Sequence, residues 1–239
     1  AQFFNFETTR DIFNLMTKDI VDYRDLEWNN IINSSSNGRA AYDSVIAPGT
    51  VIDEKVYIEN SYVHSSAKIN SNVVLSSVEI KDETIPNDVV IQGIKQKNGK
   101  YICRIYGLDD NPKENKLFNK PIKSLPFGLD DILWNVNLYP ENDTMEEALK
   151  SALNIYKLCQ GEKDGNLEEW KKYNKKSLLS ALDDADIIES IRWKRKVKNL
   201  VNLGIIESWI YNKKSIDNVT GLFKEGIKEW NEEQKEWLE

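Results

Sequence analysis

The stretch YICRIYGLDDNPKE, Tyr101 to Glu114, gathers groups that can do chemistry behind an alternating apolar run: a guanidinium at Arg104, two carboxylates at Asp109 and Asp110, and an ammonium at Lys113. Arginine or lysine in such a place can meet a phosphate or a carboxylate through charge-assisted hydrogen bonds. Tyr101, Cys103 and Ile105 alternate with Ile102, Arg104 and Tyr106 as a strand requires, and GLDDNP then breaks the run with turn residues. A turn shaped by Asp109, Asp110, Asn111 and Pro112 accounts for the loop as well as a binding surface does. Neighbouring carboxylates also occur at Asp130 and Asp131 and at Asp183 and Asp184. Adjacent residues point different ways on a helix or strand, so adjacency makes neither a metal site nor an acid/base pair.

Other chemistry is sparse. His64 is the single histidine; it could serve as a general base in an acyltransferase, but the polar setting VHSSA reads as a solvent-facing corner. The eleven glycines are scattered with no GxG and no GK[ST], so the chain has no recognisable phosphate loop. In RWKRKVKN, Arg192 to Asn199, Ile191, Trp193, Val197 and Leu200 interleave with the cations, which reads as one amphipathic helix with a solvated basic face. Trp134 and Tyr139 could stack on a sugar, although core positions are commoner for aromatics. Cys103 and Cys159 stand outside any CxxC pattern, which indicates neither zinc nor a disulfide framework and suits a reduced cytoplasm. No catalytic residue and no metal ligand is expected in this chain.

The formal charge of −7 over 239 residues argues against nonspecific binding to nucleic acid or to acidic membranes. No apolar run approaches the roughly 20 residues a bilayer demands, and no stretch reads as a signal peptide. The chain opens on Ala1 rather than Met, and FFNFETTRDIFNLM begins as if a domain were already under way. This reads as a piece of a longer chain.

The elements that must position these groups fall into two kinds. From about Ile31 to Ile91, Ile46, Ile52 and Ile58 recur every six residues, and after a slip of one Val63, Ile69 and Leu75 do so again. Thr50, Val56, Ala67 and Val73 follow four residues behind. Neither a helix nor a flat strand makes this period. A hexapeptide β-helix does, with coils of about 18 residues, and the segment supplies roughly three of them. The expected fold is therefore mixed β and α: a short left-handed parallel β-helix followed by a helical region. Beyond Asp131 the pattern is helical. DTMEEALKSALNIYKL has Asp143 and Glu146 at capping-box spacing and Met145, Leu149, Ala152, Leu153 and Tyr156 on one face. Further helices are expected over Leu167–Lys175, Leu178–Leu203 and Val219–Leu238. The expected organisation is a joining segment over 1–30, the β-helix with its strand and loop over 31–111, and the helical region over 112–239.

Three stretches in order along the chain, FFNFETTRDIF, YGLDDNPKE and LWNVNLYPENDTMEEALKSAL, resemble the fucose-1-phosphate guanylyltransferases, or GDP-fucose pyrophosphorylases, in the region behind their nucleotidyltransferase domain. The same arrangement is found in the bifunctional fucokinase/guanylyltransferases, where a sugar kinase domain follows. The resemblance implies a parent enzyme that joins fucose 1-phosphate to GTP with Mg²⁺ or a similar divalent metal, releasing pyrophosphate. It places the phosphate loop and the metal carboxylates in an N-terminal domain outside this sequence. By that reading the chain binds no cofactor and is inactive alone. Arg10, Arg104 and Lys113 are its residues suited to the sugar phosphate, and Phe3, Phe4 and Phe6 lie against the catalytic domain. One departure stands out: where the family pattern runs roughly F-x-H-x-G-T-T/S, this chain has Phe4, Asn5, Phe6, Glu7, Thr8 and Thr9, adding bulk and negative charge at Glu7. Two rivals from other classes are a hexapeptide-repeat acyltransferase using His64 and a non-enzymatic interaction module.

Overall fold

A computed structural model describes residues 9–17, 33–35, 39–110, 114–125, 132–162 and 173–212. The chain divides into two compact units, Ala1–Lys198 and Asn199–Glu239. The account below concerns the first.

Its centre is a parallel β-solenoid of about three turns. Strands β2 (Arg39–Tyr42), β5 (Val56–Glu59), β8 (Val73–Ser76) and β11 (Val89–Lys95) stack in parallel on one face. Strands β3 (Val45–Ile46), β6 (Tyr62–Val63) and β9 (Glu79–Ile80) make the second face, and β4 (Val51–Ile52), β7 (Lys68–Ile69) and β10 (Thr84–Ile85) the third. At one edge of the first face β1 (Asn33–Ser35) pairs antiparallel with β2; at the other β12 (Tyr101–Gly107) folds back antiparallel on β11.

The six-residue aliphatic positions of the sequence become three inward ladders. Ile46 stacks on Val63 and Ile80, Ile52 on Ile69 and Ile85, and Ile58 on Leu75 and Ile91. Each fully buried aliphatic side chain contributes about 1.5–3 kcal/mol, and from Ile58 onward the members of these ladders are at most 1 % exposed. One detail differs from expectation. The pairing of Val56 with Val73 and of Val73 with Val89 makes the coil 17 and then 16 residues long, not about 18. The shortening occurs at corners where one residue turns the chain in the left-handed region: Asp43, Asn60 and Ser77 in one stack and Lys55, Asn72 and Asp88 in another, with φ between 41° and 59°. Asn and Asp tolerate that region better than other side chains, and they fill four of the six places.

Outside the solenoid, α1 (Thr9–Thr17) lays Phe13 on the outer side of the first sheet, in a cluster with Tyr57, Val90 and Leu108. Helix α2 (Met145–Gln160) joins the main core through Ala148, Leu149, Ala152, Leu153, Ile155 and Leu158. Its capping box is formed by Thr144 and Glu147, one residue beyond the expected pair, because Asp143 is engaged by Lys100. Gly161 ends the helix with φ of 77°.

The region behind the solenoid is less purely helical than expected. It holds two small antiparallel pairs, β13 (Lys116–Leu117) with β14 (Lys120–Pro121), and β15 (Tyr139–Pro140) with β16 (Asn174–Lys176). Asn174 and Lys175 are thus in a strand where a helix was expected, because the pairing with Tyr139 and Pro140 overrides local preference. The expected helix from Leu178 to Leu203 is broken at Asp184–Asp186 into α3 (Ser180–Asp183) and α4 (Ile187–Asn212). The break frees backbone groups that cross-link the chain: Asp184 O accepts from Lys97 N, and Asp186 N donates to Lys95 O. The helix expected over Val219–Leu238 lies outside the described residues. No helix among the described residues is long and apolar enough to cross a membrane.

Candidate functional site

The loop behind β12 is built by two carboxylates pointing opposite ways, as their adjacency requires. Asp110 turns inward and accepts from the backbone N–H groups of Gly107 (2.5 Å), Phe118 (2.9 Å) and Asn119 (2.9 Å). Burial pushes its carboxyl above the usual range, while those three donors act in the opposite direction. Asp109 turns outward to Arg10 on α1, accepting from Nε at 2.6 Å and Nη2 at 2.5 Å. That pairing holds Asp109 below the usual carboxylate range and Arg10 above its own ordinary value. Asp88 lies 3.5 Å from the same guanidinium.

Arg104 has a different setting. It is buried at 7 % exposure; Nη1 donates to Leu178 O at 2.7 Å and Nη2 donates to Gln92 Oε1, its cross-strand neighbour. Its guanidinium lies 5.9 Å from the Tyr106 ring centre. The side chain thus clasps the β11–β12 hairpin to the turn before α3, and Gln96 repeats the device through Nε2 to Ala181 O at 2.9 Å. Lys113, Asn111 and Pro112 lie outside the described residues, as do Phe3, Phe4, Phe6, Asp130 and Asp131. The structure therefore does not bring Arg10 and Arg104 to one point: one is on α1 at the loop, the other is buried under Leu178.

His64 lies on the outer side of the second face, 2.9 Å from Glu79 Oε1 and stacked on Tyr62 with ring centres 4.1 Å apart. Tyr139 is fully buried with its hydroxyl donating to Ile105 O at 2.7 Å, whereas Trp134 is 42 % exposed. Cys103 and Cys159 are free and buried, and burial pushes both thiols up, Cys159 to about 12. Asp184 pairs with Lys176, while the backbone oxygen of Asp183 accepts from Lys97 Nζ at 3.0 Å. Among the described residues no cluster of His, Cys, Asp and Glu is suited to hold a metal ion.

The concave feature that sequence reasoning missed is a cleft of about 520 Å³ between the edge of the solenoid, the start of α2 and α4. Its floor is Gly93, where a Cβ would come within 2.4 Å of Ser77 O and 2.5 Å of Met145 Cε. Lys95 and Tyr101 are register partners across the hairpin, and the Lys95 ammonium sits 4.9 Å from the Tyr101 ring centre and 3.5 Å from Glu189. The hydrogen bond to Tyr101 comes first in raising Lys95 above its ordinary range. On the opposite wall Trp193 is oriented by its Nε1, which donates to Asn60 O at 2.7 Å. The basic run is the amphipathic helix expected: Val197 is 1 % exposed and Trp193 is tethered to a solenoid corner, while the cations lie exposed, and Arg192 and Lys196 among them border the cleft.

A short parallel solenoid closed by a helix, with a cleft at its edge, defines a solenoid module. The family model for the Fucose pyrophosphorylase domain matches residues 1–156, and the chain belongs to that family. Comparisons with curated proteins and with solved structures found no match.

Proposed function

We propose that this chain is the solenoid and helical part of a sugar-1-phosphate guanylyltransferase, supporting GDP-fucose synthesis from GTP and fucose 1-phosphate without itself carrying the reacting centre. The observation behind this reading is the family match over residues 1–156 in a sequence with no glycine-rich phosphate loop. In this proposal the nucleotidyltransferase domain, with its Mg²⁺ or similar metal, is the partner, and a sugar kinase domain is a further one in a bifunctional parent. The cytoplasm is the proposed compartment, consistent with two free thiols.

Within the reading, Arg10 and Lys113 are the cations that meet the sugar phosphate. Arg10 already spans two oxygens of Asp109, the geometry by which a guanidinium also takes a phosphate. Arg104 is a positioning residue: it sets the hairpin from which the Asp109 loop springs.

The purified chain, incubated with GTP, Mg²⁺ and fucose 1-phosphate, should release no pyrophosphate; clear turnover would refute the assignment of a non-catalytic role. In the full-length enzyme Arg10→Ala should raise KM for the sugar phosphate more than for GTP. Arg104→Ala should instead lower stability, leaving kinetics per folded molecule little changed.

A further inference from the structure

The cleft over Gly93 is lined by four cations and four carboxylates, so its lining carries no net charge. The charges are interlocked: Lys81 with Glu146 at 2.7 Å, Lys95 with Glu189 at 3.5 Å, and Arg192 with the same Glu189. Lys196 instead sits over the Trp193 ring, 5.6 Å from its centre, and an incoming phosphate would gain Lys81, Lys95 or Arg192 only by facing the carboxylate that holds it, while an incoming cation meets the converse problem. A neutral ligand escapes both. Hydroxyl groups donate and accept together, so a ring bearing several of them can bridge carboxylate and ammonium alternately without breaking the ion pairs.

The remaining surface suits the apolar side of such a ring. Trp193 and Tyr101 supply flat aromatic area, Met145 a soft thioether, and Gly93 leaves bare backbone at the floor. Trp193 is preset by its bond to Asn60 O, and Tyr101 by its place in the hairpin opposite Lys95. Ordering these groups therefore costs little on binding. The volume of about 520 Å³ falls within the span of small-molecule sites, about 300–1,000 Å³.

We infer that this cleft is a binding site for an uncharged monosaccharide, a pyranose ring held by hydroxyl bridges across the Lys95–Glu189 and Lys81–Glu146 pairs with Trp193 and Tyr101 beside its carbon–hydrogen faces. The inference stands apart from the guanylyltransferase reading, since it concerns a site remote from the Asp109 loop and a ligand without phosphate. It needs neither GTP nor metal.

The test is saturation-transfer NMR on the full chain, titrated in separate arms with free L-fucose, with fucose 1-phosphate and with inorganic phosphate. Free sugar should receive saturation with a Kd of about 1 mM, the scale expected for a ligand of this size. Trp193→Ala should weaken it about tenfold. Because Trp193 also tethers α4, Lys95→Met provides a second variant that leaves the tether in place, and it should weaken the sugar with the thermal unfolding midpoint little changed. The inference is overturned if free sugar gives no transfer at tens of millimolar, about tenfold above that Kd. It is equally overturned if fucose 1-phosphate or inorganic phosphate binds about tenfold more tightly than free sugar and Lys95→Met abolishes that binding, which places the phosphate in the cleft, or if Lys95→Met binds free sugar as the parent does.

Discussion

The two ends of the solenoid face opposite circumstances. At the first coil Ile46 is 37 % exposed and Ile52 only half-buried, although both head ladders whose later members are fully buried. At the last coil Ile80, Ile85 and Ile91 are all at 0 %, because the β11–β12 hairpin and the apolar face of α2 share their cluster. Stacking places an aliphatic side chain inward; what removes it from water is the layer beyond it. A solenoid is a series of nearest-neighbour interfaces, so the value of a ladder position depends on its height in the stack.

The sharpest way to break the comparison is a pair of equal truncations. Leu75→Ala, between Ile58 and Ile91 and fully buried, should cost about 2–5 kcal/mol. Ile46→Ala at the open end should cost about 1 kcal/mol. Urea unfolding of both variants reads the difference, and equal losses would mean that the first coil is as well covered as the middle.

Next in size is Gly93→Ala. A Cβ there meets the Ser77 carbonyl at 2.4 Å, and that neighbour is backbone, so the coil itself must shift. The expected loss is about 1–3 kcal/mol. Adding Met145→Ala should recover little, since Met145 is the yielding partner and Ser77 O is not. Smaller again is Thr144→Ala, which removes the cap of the covering helix and should cost about 1 kcal/mol in the same assay. It sharpens the view that α2 acts as a lid on the covered end.

The smallest effect is a pH dependence at the α1 junction. Arg10 lowers the pKa of Asp109 in the folded state, so this pair's contribution is fully present above the unfolded aspartate value of about 3.9 and is lost as pH falls through the lowered folded value. Asp109→Asn should flatten that part of the acid limb of stability against pH. An unchanged acid limb would show that the pair, partly open to solvent, adds nothing measurable.

The covered core was readable in advance and the cover itself was not. Ile46, Ile52, Ile58, Val63, Ile69 and Leu75 announce the solenoid by a period that only stacked coils explain, and the face of α2 by its helical spacing. The coil length of 17 was hidden in single corner residues such as Asn60 and Asn72, whose φ near 46° and 59° leaves no mark on hydropathy. The strand at Asn174–Lys176 depends on a distant partner, with Tyr139 paired to Lys176, 37 residues on, which no local propensity reveals. Arg104 was recognised as a cation worth placing, but its partner Leu178 O is a backbone atom 74 residues away. The cleft was invisible for the same reason: Lys95, Tyr101 and Trp193 form no motif, and only the fold of α4 against the corner at Asn60 assembles them. The matched family region ends at residue 156, yet Leu158, Cys159, Leu178 and Ala181 belong to the same buried cluster. The cooperative unit therefore runs past the matched segment.

The left-handed corners give the solenoid the character of a ruler. With Asp43, Asn60 and Ser77 spaced by 17 residues, cutting out or splicing in one such segment between equivalent corners changes the height of the stack by one strand spacing, about 4.8 Å, and leaves all three faces in phase. An insertion of any other length within a face turns the residues after it to the wrong side. One coil, 17 residues over most of the stack and 16 in its last turn, is accordingly the quantum in which this module can be lengthened or shortened, by laboratory or by descent, to change the distance between what is attached at its two ends.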